Sequence, residues 1–152
     1  MKKSYEHRSD VEKIRSQWHK LTGLHSREEW SAAVVRAATA AEIAANFAVR
    51  EEFKSRSEFD DDFVNSLLRW ANGLDGKLTR LLLPMTDGKK KNKVIRRVKA
   101  DAERVSRKHN AVAHQGEFCN TGESQEAIES ARKFIEAVVG IYEPGFKLKD
   151  RR

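Results

Sequence analysis

Between Ser26 and about Lys54 the chain carries neither glycine nor proline. Nothing there interrupts a helix, which at 1.5 Å per residue would extend about 40 Å. This is the longest element the sequence predicts, and the rest of the chain has to arrange itself around it. Its inner seam, Trp30, Ala33, Val34, Ala37, Ala41, Ala44 and Ala48, is rich in alanine, which lets a neighbouring backbone come close at little loss of helix propensity. Ser26, with Glu29 three residues on, reads as a reciprocal capping box at its start. The apolar stretch 37–49 holds Glu42 and Asn46 and is too short and too polar to span a bilayer, so a core helix is expected, with no membrane.

The other segments read as shorter helices of the same bundle. Val11, Ile14, Trp18 and Leu21 recur at helical spacing over 10–21, ending at Gly23. A helix over 59–74 has Phe59 and Asp60, Asp61 and Asp62 crowded into its first turn, with Phe63, Leu67, Leu68, Trp70 and Ala71 facing inward. A short apolar run over 78–83 is stopped by Pro84. A fourth helix over about 93–114 is terminated by Gly116, and a fifth over 124–142 buries Ala127, Ile128, Ala131, Phe134, Ile135, Val138 and Val139. The tail, 146–152, is basic and expected to fray. No segment sustains strand alternation. The sequence therefore predicts an all-α chain, one domain over 1–152 with its core over about 9–142, folded as an antiparallel bundle of about five helices.

Charge narrows the partners. Thirty Lys and Arg stand against 23 Asp and Glu, for a net charge of +7 and a pI of about 9.6, a balance that favours polyanions. The segment 87–93, with Lys89, Lys90, Lys91 and Lys93, reads either as a flexible solvated loop or as an arm that steers phosphates, with Lys108 added on the following helix. A lone cysteine, Cys119, excludes an intramolecular disulfide and a cysteine zinc cluster, and fits a reducing compartment. The N-terminus has no apolar segment behind its lysines, so the chain reads as cytoplasmic rather than secreted. No zincin, Walker, dinucleotide or nucleophile-elbow motif occurs, and His7, His19 and His25 show no ligand spacing, so no metal or cofactor is expected.

The chemistry gathers near the end of the fourth helix. Glu103, Arg107, Asn110 and His114 are spaced four, three and four apart and fall within an arc of roughly 60° on the helical wheel. Val98, Ala102, Val105, His109 and Val112 occupy another side, where His109 reads as a hydrogen-bonded core histidine in preference to a second catalyst. On the long helix, Glu42, Asn46 and Arg50 form a polar line. It is either a solvated stripe with a Glu-to-Arg connection, or a wall facing and positioning the Arg107 to His114 edge. A guanidinium grips phosphate oxygens bidentately, and an imidazole can move protons at a ribose hydroxyl or a leaving oxygen. That pairing suits a phosphodiester, with Asn110 orienting the phosphate or the ring.

The run Arg107-Lys108-His109-Asn110-Ala111-Val112-Ala113-His114-Gln115-Gly116 resembles the signature of the HEPN superfamily: arginine, then histidine after four to six residues, with Asn near the arginine and Gly soon after the histidine. The resemblance implies an all-α bundle with the signature late in the penultimate long helix. It also implies a metal-independent endoribonuclease, a toxin or an antiviral defence protein, with RNA as substrate and a composite site across a homodimer. An antitoxin or other protein partner would fit the same class. By position, Arg107 and His114 are the catalytic pair and Asn110 the accessory. Two features depart from the pattern: His109 stands where the usual arginine precedes Asn, and no tyrosine follows His114 by two residues. Some members of the superfamily have lost catalysis, so the alternative is an inactive binding or regulatory module.

Overall fold

The computed structural model describes residues 3–56 and 61–150, and in them every regular element is a helix or helical turn. A 3-10 turn, Tyr5–His7, leads into α1 (Asp10–Ser26), followed by α2 (Trp30–Arg56) and α3 (Asp61–Trp70). A compound segment comes next: α4 (Gly73–Gly76), a π-helix (Lys77–Leu82) and α5 (Leu83–Met85). The chain closes with α6 (Lys90–Arg97), α7 (Lys99–Gln115) and α8 (Thr121–Tyr142).

The long helix holds the centre, with α1 and α8 along it as its main neighbours and α7 beside them. Alanines make this crowding possible. Ala33, Ala37, Ala40, Ala41, Ala44, Ala45 and Ala48 are all sealed from solvent, so several helices approach α2 from different sides at once. By length and composition alone, Trp30–Ser55, a longer segment than the stretch 37–49, is long and apolar enough to cross a membrane; in this fold it is the core helix, with 61% of its apolar window buried. A single hydrophobic cluster joins α2 to Ile14, Trp18 and Leu21 of α1, to Leu78 and Leu82 of the π-helix, and to Phe134, Ile135, Val138 and Val139 of α8.

Several boundaries differ from the sequence expectation. Helix α1 runs through Gly23 to Ser26, because a buried glycine inside a helix costs only about 1 kcal/mol. Its end is a Schellman turn: Glu28 takes φ of 62°, its N–H donates to the His25 carbonyl, and the Glu29 N–H donates to that of Leu24. The Ser26 hydroxyl donates back to the Gly23 carbonyl, so Ser26 is no cap for α2. The reciprocal box lies one helix earlier, where Ser9 and Glu12 exchange hydrogen bonds at the start of α1. The expected fourth helix is two, broken at Val98, whose φ of −108° and ψ of 9° leave the helical basin. Helical structure begins at Lys90, inside the expected loop. Asn92 fastens it there, its amide donating to the Leu83 carbonyl and the Thr86 hydroxyl, both at 3.1 Å.

Expected inward residues of the third helix divide. Leu68 and Ala71 are buried and Leu67 is half-buried, but Phe63 and Trp70 are 44% and 63% exposed, and Val64, outside the expected set, is buried in their place. Phe59 and Asp60 lie outside the described residues. Helical geometry also continues past Pro84, which occupies the first turn of α5, where a missing N–H goes unnoticed. The tail does not fray over 146–150. Phe146 and Leu148 join the core, the Leu148 N–H donates to Glu136, and Asp150 accepts from Arg132 and from the Trp18 indole.

Candidate functional site

The last turns of α7 carry the expected edge, and Gly116, at φ of 66°, closes the helix in the left-handed conformation. Ala102 and Val105 anchor the helix to the core, while Arg107, Asn110 and His114 are exposed. The neighbours of α7 then split this edge in two. On the α8 flank, Arg107 lines a hollow of about 280 Å³ with Arg104, Lys108, Glu123 and Glu126. On the other flank, His114 and Asn110 line a cleft of about 350 Å³ whose walls include Glu42 of α2 and Asp75 of α4. Within one chain, the guanidinium and the imidazole therefore open into different spaces.

Partners distinguish the groups further. Arg107 makes no hydrogen bond or ion pair among the described residues. Lys108, next to it, is committed: its ammonium binds the Glu123 carboxylate and lies 3.3 Å from Glu117. The Glu123 contact holds the lysine above its ordinary pKa against the opposing effect of burial, and Lys108 in turn holds Glu123 below the ordinary carboxylate value. Glu103 stays exposed, 3.9 Å from Lys99 one turn back, and lines neither space.

The polar line on α2 is neither of the expected arrangements in full. Glu42 does line the His114 cleft, but it accepts at 2.5 Å from Lys77, a buried lysine at the head of the π-helix. Arg50 turns away to Asp10, at 2.7 and 2.8 Å, and to Asn65, so no Glu-to-Arg connection forms along α2. Asn46 lines neither space, and its Oδ1 is buried with no hydrogen-bond partner among the described residues.

Of the lysines expected to meet nucleic acid, Lys91 binds Glu52, a fully buried carboxylate that also accepts at 2.7 Å from the Tyr142 hydroxyl. Lys89 stands 3.8 Å from the same carboxylate. Lys90 and Lys93 remain exposed and without an ion pair among the described residues. The basic arm thus reduces to two open lysines.

His109 is the residue that sequence reasoning placed wrongly. It is partly exposed, makes no hydrogen bond among the described residues and lines the same cleft as His114, with ring centroids 6.1 Å apart and planes at 74°. A separation of five residues is not a spacing that pairs side chains on a helix, so the pattern gave no signal for it. Lys77 was missed for another reason: it opens an apolar run, and only the packing of the π-helix against α2 turns it inward. Among the described residues, no group of three or more His, Cys, Asp or Glu is arranged to hold a metal ion. Searched against models of protein families, against curated proteins and against solved structures, the chain has no significant match in any of the three.

Proposed function

We propose that the chain is a metal-independent endoribonuclease of HEPN type, acting in the cytoplasm as a toxin or defence protein, with a composite site between two copies. The observation that carries this reading is an exposed Arg107, without a partner among the described residues, on the same helix end as an exposed His114 at the mouth of a cleft. A second copy laid across the end of α7 would bring its own Arg107 to the first copy's His114, which the two-flank arrangement of a single chain does not do.

In this scheme the 2′-hydroxyl of RNA attacks the adjacent phosphorus. The 2′-oxygen–phosphorus bond forms, the bond to the 5′-oxygen breaks, and the products are a 2′,3′-cyclic phosphate and a 5′-hydroxyl. His114 moves protons, Arg107 stabilises the charge growing on the non-bridging oxygens, and Asn110 orients the phosphate. Purified protein is expected to cleave RNA in EDTA, and His114→Ala to lose at least about 100-fold of that rate with an unchanged unfolding midpoint. Equal cleavage by both proteins removes His114 from the mechanism.

The second reading is a catalytically silent module that uses the same edge to bind an antitoxin, another protein or a copy of itself. The separation of Arg107 from His114 onto two flanks of α7 favours it. Such a protein lacks nuclease activity altogether, and its Arg107→Ala variant loses association in sedimentation.

A further inference from the structure

The cleft beside α7 holds two imidazoles in one chain. His109 and His114 stand edge to face with centroids 6.1 Å apart, and neither ring has a hydrogen-bond partner among the described residues. A histidine serving the core donates or accepts a bond there; His109 does neither and keeps access to the cleft. The other charged groups on the walls are Glu42, which is tied to Lys77, and Asp75 on the rim. The two rings are therefore the groups in this space whose nitrogens are open to a ligand in the cleft.

Resting on the nuclease reading above, we infer that His109 is a second catalytic residue, the general acid to the His114 base, so that one chain supplies both proton-transfer groups for a single RNA phosphodiester. Arginine alone comes from the other copy. With centroids 6.1 Å apart and planes at 74°, the rings leave no room between them for a phosphate, but one seated in the cleft across both rims meets a nitrogen of each, with attacking and leaving oxygens at about 2.6–3.2 Å. His114, the more exposed ring, takes the proton from the 2′-hydroxyl as the 2′-oxygen–phosphorus bond forms. His109, protonated at the start, gives its proton to the 5′-oxygen as that bond breaks. One proton enters His114 and one leaves His109, and exchange with water resets both.

A substrate with sulfur in place of the bridging 5′-oxygen separates the roles, because a thiolate departs without being protonated. On an oligoribonucleotide with one such linkage, in EDTA, the wild-type protein cleaves both the oxygen and the sulfur forms. His109→Gln slows the oxygen form by about 100-fold or more and cleaves the sulfur form within a few-fold of wild type. His109→Asn, run in parallel with a check of helix content, shows the same selectivity. His114→Ala is slow on both. Wild-type rates for His109→Gln on oxygen, equal slowing on both linkages, or sulfur rescue of His114→Ala instead each overturn the assignment of His109 and leave the nuclease reading in place. A wild-type protein that cleaves neither substrate removes both.

Discussion

Glu52 and His114 lie at polar clusters built on opposite principles. Around Glu52 every charge is answered: the carboxylate is fully buried and takes bonds from Lys91 and Tyr142, with the Lys91 ammonium 5.5 Å from the Tyr142 ring centre and that ring edge-on to Phe47. It joins α2, the start of α6 and the end of α8. Around His114 little is answered: two imidazoles and an amide border a cleft, and Arg107 opens to the other side without a partner among the described residues. The difference teaches how to divide the polar residues of this chain. A closed cluster stores its interactions in the fold, whereas an open one keeps its hydrogen-bonding capacity for a ligand.

The comparison breaks first at its closed end. Glu52→Ala leaves an ammonium and a hydroxyl without their buried acceptor, and is expected to lower stability by about 3–5 kcal/mol in urea unfolding. Glu52→Gln, which still accepts from Tyr142, should fall short of that loss. A change under about 1 kcal/mol for the alanine variant would show that the cluster is not closed in solution.

A smaller effect tests the division among the lysines. On the proposed RNA-cleaving reading, replacing the open Lys90 and Lys93 with Gln is expected to weaken RNA binding several-fold and reduce its salt dependence by about two counter-ions. Lys108→Gln, which removes a charge already matched by Glu123 and Glu117, should alter the salt dependence much less. The reverse order would place the RNA path on the α8 flank, over Arg107.

The smallest effect concerns the tail, a closed cluster at the surface. Burial opposes ionisation of Asp150, but its hydrogen bonds from Arg132 and Trp18 outweigh that and hold the carboxyl below its ordinary value. A carboxyl depressed in the folded state contributes stability that is present above its unfolded pKa and is lost as pH falls through the folded one. Tail docking is therefore expected at neutral pH and released in acid, read as a change in Trp18 fluorescence. Asp150→Asn should remove that acid transition. Its persistence in the variant would assign the transition to another carboxylate.

Much of the framework was legible because it rests on local chemistry. The alanine seam at Ala33, Ala37, Ala41, Ala44 and Ala48 is buried as its spacing requires, and so are Phe134, Ile135, Val138 and Val139 on α8. Gly116 ends α7 in the conformation glycine tolerates best. The misplacements share a cause: a local motif had more than one use. Ser26 and Glu29 have the spacing of a cap, yet the hydroxyl found the Gly23 carbonyl first. Phe63 and Trp70 have the spacing of a buried stripe, yet α3 meets the bundle over too small an area to cover them. Nothing in the residues around Val98 announces the break there.

The candidate site was legible as a set of residues and not as a place. Residue spacing put Arg107, Asn110 and His114 along one exposed edge, and exposure is what the structure gives them. Periodicity describes one helix, however, and a cleft is made by at least two. Only the packing of α8 on one side of α7, and of α2 with α4 on the other, sent Arg107 and His114 into separate spaces and made one cleft lined by both His109 and His114. The sequence by itself determined that the chain is helical, that an alanine-rich helix lies at its centre and which end of which helix carries an arginine and a histidine. The tertiary structure decided which charges are consumed inside the fold and which remain open, because a side chain's partner across the core is set by how the helices pack, and no single helix contains that information.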